Sequence, residues 1–141
     1  MRLPTLLVAL LATFISIDAA LACSCAPPPP PKQAMAGSTA VFSGKCVDVT
    51  IKDNQKFVTF EVMRIYKGEI GAKVVVTTAV HGATCGFGFT TKGDATYLVY
   101  CYGEKDKLAT NICTRTNTLA GGQQDLKDLG EGSEPKKDEK K

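Results

Sequence analysis

A Cys-x-Cys pair directly after a hydrophobic N-terminal segment constrains this chain more than any other feature. Residues 6–17 form an apolar stretch that has the length of a signal peptide and is too short to span a bilayer well. Ala20 and Ala22 supply the small-x-small pattern at which signal peptidase cleaves. We therefore expect residues 1–22 to be a signal peptide and Cys23 to become the first residue of an exported chain.

Two other interpretations of this segment stay open. An uncleaved apolar segment would anchor the chain in a membrane, whereas a lipoprotein signal would leave Cys23 acylated. Lipoprotein signals usually carry leucine three residues before the cysteine, and here that residue is Ala20. Acylation would block the α-amino group of Cys23, so the mass of the exported chain distinguishes the two forms.

All six cysteines lie after the cleavage site, in the 119 residues that remain when 22 are removed from 141. An even number of cysteines in a small exported domain predicts three disulfides, although a Cys-x-Cys pair that binds copper or zinc is an alternative. Six cysteines allow fifteen pairings, and spacing alone does not choose among them. The cysteines are Cys23, Cys25, Cys46, Cys85, Cys101 and Cys113.

The charge pattern and the motif content exclude several classes of function. The net charge of +3 is too small to indicate nucleic-acid binding, although it permits attraction to an acidic matrix polysaccharide. The sequence holds no HExxH motif and only one histidine, His81, which we interpret as a solvated loop residue. We therefore expect a protein that is not an enzyme and that needs no cofactor of its own.

Period-two alternation of apolar and polar residues after Thr39 predicts an all-β domain with short helices. Five strands are expected, over residues 40–51, 56–66, 73–80, 95–102 and 107–113. Strands at this spacing fit a small five-stranded barrel, with a β-sandwich as the alternative. Short helices are predicted over residues 32–36 and 123–129, within a domain covering residues 23–130. The highly charged residues 131–141 are predicted to form a disordered tail.

A set of short segments between residues 23 and 113 carries a family resemblance. In order they read Cys-Ser-Cys-Ala-Pro (23–27), Lys-Gln-Ala (32–34), Ala-Val-Phe (40–42), Tyr-Lys-Gly (66–68), Thr-Ala-Val-His-Gly-Ala-Thr-Cys-Gly (78–86), Ala-Thr-Tyr-Leu-Val-Tyr (95–100) and Thr-Asn-Ile-Cys (110–113). Together they resemble the N-terminal inhibitory domain of the tissue inhibitors of metalloproteinases (TIMPs). That domain belongs to the netrin-like modules, so the resemblance implies a disulfide-stapled OB-fold-like barrel.

The resemblance also implies a set of disulfides. Two bridges would tether the N-terminal segment to the barrel, and they are Cys23–Cys85 and Cys25–Cys113. The third bridge of the family has no counterpart here, because neither of its two cysteines is present. Cys46 and Cys101 are left over in predicted strands, and we expect them to pair across the barrel.

The function implied by the resemblance is inhibition of zinc metalloendopeptidases of the metzincin type. The α-amine and carbonyl oxygen of Cys23 would chelate a zinc ion supplied by the target protease, at its open coordination position. Ser24 would point into the specificity pocket of the protease. The predicted contact residues are Cys23, Ser24, Cys25, Ala26 and Pro27, with Ala83, Thr84 and Cys85 as an adjoining ridge. We expect a secreted monomer in the extracellular space or matrix, with no nucleic-acid or membrane partner.

A netrin-like module that inhibits nothing is the alternative function. Such a module would bind the extracellular matrix or a secreted partner, and the amine of Cys23 would have no role in it. An additional residue in front of Cys23 would then change nothing, whereas it would abolish zinc chelation.

Overall fold

The structure, a computed structural model, describes residues 22–136. The predicted signal peptide lies outside these residues, apart from Ala22, and so do residues 137–141 of the predicted tail. Within the described range, no helix is long and apolar enough to cross a membrane.

Five strands close into a barrel, which confirms the predicted all-β fold. They are β1 (Ala40–Lys52), β2 (Gln55–Lys67), β3 (Lys73–Ala79), β4 (Thr96–Glu104) and β5 (Lys107–Ala109). The strands pair in the order β1-β2-β3-β5-β4, and β1 also pairs with β4, so the sheet closes on itself. β3 and β5 run parallel, whereas the other neighbours are antiparallel. This is an OB-fold-like barrel, and a short strand β6 (Asn117–Thr118) extends the sheet beyond β4.

The barrel interior follows from the alternation along each strand. In β2, Val58, Phe60 and Val62 face inward and are buried. Glu61, between Phe60 and Val62, is exposed. Phe60 packs edge-on against Phe42 of β1 and against Phe89, with ring centroids 5.4 and 5.1 Å apart. Phe89 belongs to the segment between β3 and β4, so that segment contributes an aromatic side chain to the core.

Two short helices cover the outer face of β1 and β4. Helix α1 spans Pro31–Gly37 and helix α2 spans Gln123–Leu129, which confirms both predicted helices. Proline suits the first turn of α1, because no intrahelical partner exists there for the missing N–H. Leu98 and Tyr100 of β4 form a second apolar cluster beneath the helices.

Strand β5 is shorter than the predicted strand over residues 107–113. After Ala109 the backbone turns locally, since the carbonyl oxygen of Asn111 accepts a hydrogen bond from the backbone N–H of Thr114 at 3.3 Å. A period-two pattern does not exclude such a turn, because alternation of side chains also occurs where the backbone no longer pairs.

The structure corrects the predicted Cys46–Cys101 disulfide. Both cysteines are unpaired and buried. In the antiparallel pairing of β1 with β4, Cys101 lies opposite Ala40, six residues before Cys46 along the same strand. At about 3.3 Å per residue this separates the two cysteines by roughly 20 Å, whereas a disulfide needs Cα atoms within about 7 Å. Both side chains instead fill the barrel interior as small apolar groups.

Alkylation followed by mass spectrometry should find two free thiols per chain. In the folded protein, iodoacetamide should leave Cys46 and Cys101 unmodified, because each is only 1% exposed. Burial also raises the pKa of the Cys101 thiol to about 12, which suppresses the reactive thiolate. In denaturant without a reductant, both cysteines should become labelled. A chain that gains no label in denaturant would contain the third disulfide after all.

Residues 131–134 pack against β2, and Lys136 pairs with Gly71 beyond the end of that strand, which corrects the predicted disorder for this part of the tail. Ser133 and Ile65 exchange two backbone hydrogen bonds of 2.7 and 2.8 Å. Arg64 adds a hydrogen bond from Nε to the carbonyl oxygen of Glu131 at 2.9 Å. Composition gave the wrong expectation because these contacts use mainly backbone groups, which every residue carries.

Candidate functional site

Two disulfides hold residues 23–27, the N-terminal arm, against the barrel. The Cys23–Cys85 and Cys25–Cys113 bridges both form, each with Cα atoms 5.1 Å apart. The bridges are also close to each other, since Sγ of Cys23 lies 3.7 Å from Sγ of Cys113. With two covalent anchors only two residues apart, the arm retains few conformations.

A second segment, residues 83–85, lies beside the arm and is called the ridge; Ala83 and Thr84 in it are exposed. Its first two residues belong to one turn of 3₁₀ helix, Gly82–Thr84, and Cys85 follows that turn. The hydroxyl and the backbone N–H of Thr84 both donate to the carbonyl oxygen of His81, at 2.9 and 3.1 Å. The backbone nitrogen of Cys23 donates to the carbonyl oxygen of Ala83 at 3.0 Å. Arm and ridge are therefore joined by a hydrogen bond as well as by a disulfide.

Gly86 allows the ridge to fold back against the end of β3. A Cβ atom at this position would collide with the carbonyl oxygen of Ala79 and would lie 2.8 Å from that of His81. Without a Cβ atom, the backbone N–H of Gly86 can donate to the carbonyl oxygen of His81 at 2.9 Å. Only glycine permits this close backbone approach, so the position of the ridge is determined by the barrel itself.

The second anchor of the arm lies on a turn that follows β5. The side-chain oxygen of Asn111 accepts hydrogen bonds from the backbone N–H groups of Cys113 and Thr114, at 2.9 and 3.1 Å. The backbone N–H of Ile112 donates to the carbonyl oxygen of Cys85 at 3.0 Å. The two cysteines that receive the arm are thus held next to each other by backbone hydrogen bonding.

A largely buried ion pair between Arg115 and Asp125 fixes the proline run that continues from the arm. Arg115 donates from Nη1 to the carbonyl oxygen of Pro29 at 3.1 Å, and from Nε and Nη2 to the carboxylate of Asp125 at 2.6 Å each. The hydroxyl of Tyr100 donates to the same carboxylate at 2.9 Å. Burial would raise the pKa of Asp125, but hydrogen bonds from Arg115 and Tyr100 hold that pKa below its ordinary value.

No sequence pattern indicated this cluster of Pro29, Tyr100, Arg115 and Asp125, because its members come from four separate parts of the chain. Asp125 lies in the first turn of α2, where an acidic residue is ordinarily explained by the helix dipole alone. The amphipathic pattern of α2 indicates that this helix packs on the barrel, but it does not identify a partner for the carboxylate of Asp125.

The eight residues predicted to contact a protease lie on the arm and the adjacent ridge. Cys23 and Cys85 are half-buried because their disulfide lies between the two segments. The other six are exposed and available for contact, namely Ser24, Cys25, Ala26, Pro27, Ala83 and Thr84.

Three sulfur atoms at the base of the arm lie at a spacing that would suit a metal ion. Those of Cys23, Cys25 and Cys113 are all within 4.8 Å of one another. Each belongs to a disulfide, however, and therefore offers no thiolate to a metal. This arrangement argues against a copper or zinc site formed by the Cys-x-Cys pair itself.

A scan against protein-family models and a search of the curated protein sequences find no match to this chain. The family resemblance therefore depends on the sequence segments described above. The structure establishes the barrel and the two disulfides, and disulfides are typical of proteins in an extracellular or otherwise oxidising environment.

Proposed function

We propose that this protein inhibits zinc metalloendopeptidases of the metzincin type by placing its N-terminal arm in their active-site cleft. The observation that carries the proposal is the pair of adjacent disulfides that holds the exposed arm beside the exposed ridge. A segment that is already restricted loses little conformational entropy when it binds, and this saving appears directly as affinity.

The chemistry depends on a new chain end at Cys23. Removal of the residues before it converts its nitrogen into an α-amine, which can form a five-membered chelate ring on zinc together with its own carbonyl oxygen. Free α-amines in proteins have pKa values near about 8, so a neutral amine is accessible at little cost at neutral pH. In the structure the peptide N–H of Cys23 donates to the carbonyl oxygen of Ala83. After removal of Ala22, one N–H of the amine would keep this bond, and the lone pair would be free for the zinc of the protease.

The rest of the arm would bind as a substrate mimic. The side chain of Ser24 would enter the specificity pocket, and Ala26 and Pro27 would lie along the cleft. Ala83 and Thr84 on the ridge would contact the rim of the cleft beside the zinc. Because both cysteines of the arm are bonded to the barrel, the arm would occupy the cleft without presenting a scissile bond to the zinc.

Two exported forms of the protein test the proposal against a panel of metzincin proteases. One form begins at Cys23, and the other carries a single additional alanine in front of it. We expect the first form to inhibit and the extended form to be at least about 30-fold weaker, the effect of losing one hot-spot contact of about 2 kcal/mol.

The mass of each form and its melting temperature serve as controls, since both forms should contain two disulfides and unfold alike. The mass also reveals any acyl group on Cys23. If neither form inhibits although both are folded, the proposal is wrong and the netrin-like binding module becomes the better interpretation. Equal inhibition by both forms would exclude chelation through the amine.

A further inference from the structure

The two disulfides at the base of the arm are in contact with each other. Sγ of Cys23, in one bridge, lies 3.7 Å from Sγ of Cys113, in the other. Sγ of Cys25 belongs to the same cluster, since all three atoms lie within 4.8 Å of one another. A disulfide bond is about 2.05 Å long, so an approach of about 1.7 Å would bond Cys23 to Cys113. Rotation about side-chain bonds covers a distance of that size.

The backbone holds the two cysteines that receive the arm next to each other, whichever of them is bonded to Cys23. The backbone N–H of Ile112 donates to the carbonyl oxygen of Cys85 at 3.0 Å. The side-chain oxygen of Asn111 accepts a hydrogen bond from the backbone N–H of Cys113 at 2.9 Å. Neither hydrogen bond involves a sulfur atom. Cys23 can therefore change its partner from Cys85 to Cys113 while the ridge and the turn after β5 keep their positions.

The four cysteines of the two bridges differ in their exposure to solvent. Cys25 is exposed, whereas Cys23, Cys85 and Cys113 are half-buried. Thiol–disulfide exchange requires a thiolate to reach a disulfide sulfur, so access helps to decide which sulfur is attacked. A small thiol dissolved in water therefore reaches the sulfur of Cys25 first.

We propose that Cys25 is a site of S-thiolation by a small thiol such as glutathione, and that this modification transfers Cys23 from Cys85 to Cys113. In the first step, the thiolate of the small thiol attacks Sγ of Cys25. A mixed disulfide forms on Cys25, and the bond between Cys25 and Cys113 breaks. The electron pair of the broken bond stays on Cys113 as a thiolate.

The second step takes place between the two bridges. The Cys113 thiolate attacks Sγ of Cys23, a bond forms between them, and the bond between Cys23 and Cys85 breaks. Their separation of 3.7 Å is slightly longer than the about 3–3.5 Å of a reactive geometry. The electron pair leaves on Cys85, which takes up the proton that the small thiol released. One thiol is consumed and one is released, so the exchange needs no oxidant and no other reductant.

The transfer changes how the arm is attached to the barrel. Before it, Cys23 is bonded to the ridge and Cys25 to the turn after β5. After it, only Cys23 is bonded to the barrel, and Cys25 carries the small thiol. A small thiol would then weaken protease inhibition while the barrel stays folded. This last effect rests on the proposed function, whereas the exchange itself does not.

Peptide mapping of the form that begins at Cys23 tests the exchange directly. The folded protein is incubated with reduced glutathione, quenched with acid, labelled with N-ethylmaleimide in denaturant and digested with trypsin. In the untreated protein, the two bridges join three tryptic peptides, namely residues 23–32, 74–92 and 108–115. The thiols of Cys46 and Cys101 are labelled in every sample and lie in other peptides.

After glutathione treatment, we expect the peptide of residues 74–92 to be released with the label on Cys85. The peptide of residues 23–32 should remain joined to that of residues 108–115 and should carry one glutathione on Cys25. Tandem mass spectrometry locates the glutathione, because fragmentation at Ser24 separates Cys23 from Cys25.

Other products would overturn the proposal. If only the first step takes place, the released peptide is that of residues 108–115, with the label on Cys113. If glutathione attacks the other bridge instead, it is found on Cys23 or on Cys85. An unchanged peptide map would show that Cys25 is not a site of S-thiolation. None of these results depends on whether the protein inhibits a protease.

Two variants test the second step without any added thiol. In Cys25→Ala, a permanent thiol on Cys113 lies beside the Cys23–Cys85 bridge, so the label should appear on both Cys85 and Cys113. Cys113→Ala is the matched control, since it lacks the same bridge but has no thiol at position 113, and its Cys85 should stay unlabelled. Circular dichroism verifies that both variants are folded. A label confined to Cys113 in Cys25→Ala would exclude the transfer.

Discussion

Replacing Asp125 with alanine should lower the free energy of unfolding by about 3 kcal/mol. The carboxylate receives two hydrogen bonds from Arg115 and one from Tyr100, and its side chain is 8% exposed. Without it, a guanidinium and a phenol hydroxyl lose their partner in a largely buried site, which costs more than the loss of an exposed ion pair. The value stays at the lower end of the range for buried pairs because the Arg115 side chain is 23% exposed and can reach water.

Thermal unfolding followed by circular dichroism measures this effect, with an expected decrease of about 10–15 °C in the melting temperature. Tyr100→Phe is a matched control, since it removes one hydrogen bond to Asp125 and should cost only about 1 kcal/mol. If the melting temperature of Asp125→Ala lies within about 2–3 °C of the wild-type value, the ion pair contributes less than about 1 kcal/mol to the free energy of unfolding.

The Asp125 carboxylate should also produce a pH dependence of stability. Hydrogen bonds hold its pKa in the folded protein below the ordinary value for aspartate. A lowered folded-state pKa means that the stabilisation is complete above about pH 4 and is lost as the pH falls through the folded-state pKa. We therefore expect Asp125→Asn to flatten the decline in stability as the pH falls below about 4. Parallel pH profiles for the wild type and Asp125→Asn would contradict this origin.

Removal of the Cys25–Cys113 disulfide should lower the free energy of unfolding by about 3–4 kcal/mol and should also abolish the proposed inhibition of zinc proteases. The bridge joins residues separated by 88 positions, so it restricts a long loop of the unfolded chain, although the overlapping loop closed by Cys23–Cys85 reduces the gain. In the folded protein, the arm would keep only one covalent anchor and would sample conformations that do not fit a protease cleft.

The double variant Cys25→Ala/Cys113→Ala tests both parts of this prediction. Urea unfolding measures the stability, and protease inhibition is measured at a temperature where the variant is fully folded. Cys46→Ala is the control, because this buried cysteine is unpaired and its truncation should cost only about 1 kcal/mol without affecting inhibition. If the double variant is folded and inhibits as well as the wild type, the second anchor does not preorganise the arm.

The elements of the fold were predictable because their signals are local. The strand predicted over residues 40–51 forms as Ala40–Lys52, since alternation directly reflects which side chains face the barrel interior. The predicted helix over residues 123–129 forms with the same bounds, and Gly130 after it has a positive φ of 80°. A terminating glycine and one turn of apolar spacing are properties of neighbouring residues, so no tertiary information was needed.

Two of the three predicted disulfides are present in the structure, and the third is not. Cys23–Cys85 and Cys25–Cys113 were implied by the family resemblance and are present in the structure. The remaining pair was inferred by elimination, and that inference failed because elimination ignores distance. Only the register of β1 on β4 shows that Cys46 and Cys101 lie far apart along the barrel wall.

Composition and alternation thus predicted a small exported β-barrel domain, and the family resemblance added the two disulfides that hold its N-terminal arm. The tertiary structure alone decided that Asp125 meets Arg115 and Tyr100 and that residues 131–134 pack on β2. The physical reason is the same in each case. Hydrophobic periodicity records which face of an element is buried, whereas contacts between distant segments depend on strand register and backbone hydrogen bonds, which leave no periodic trace in the sequence.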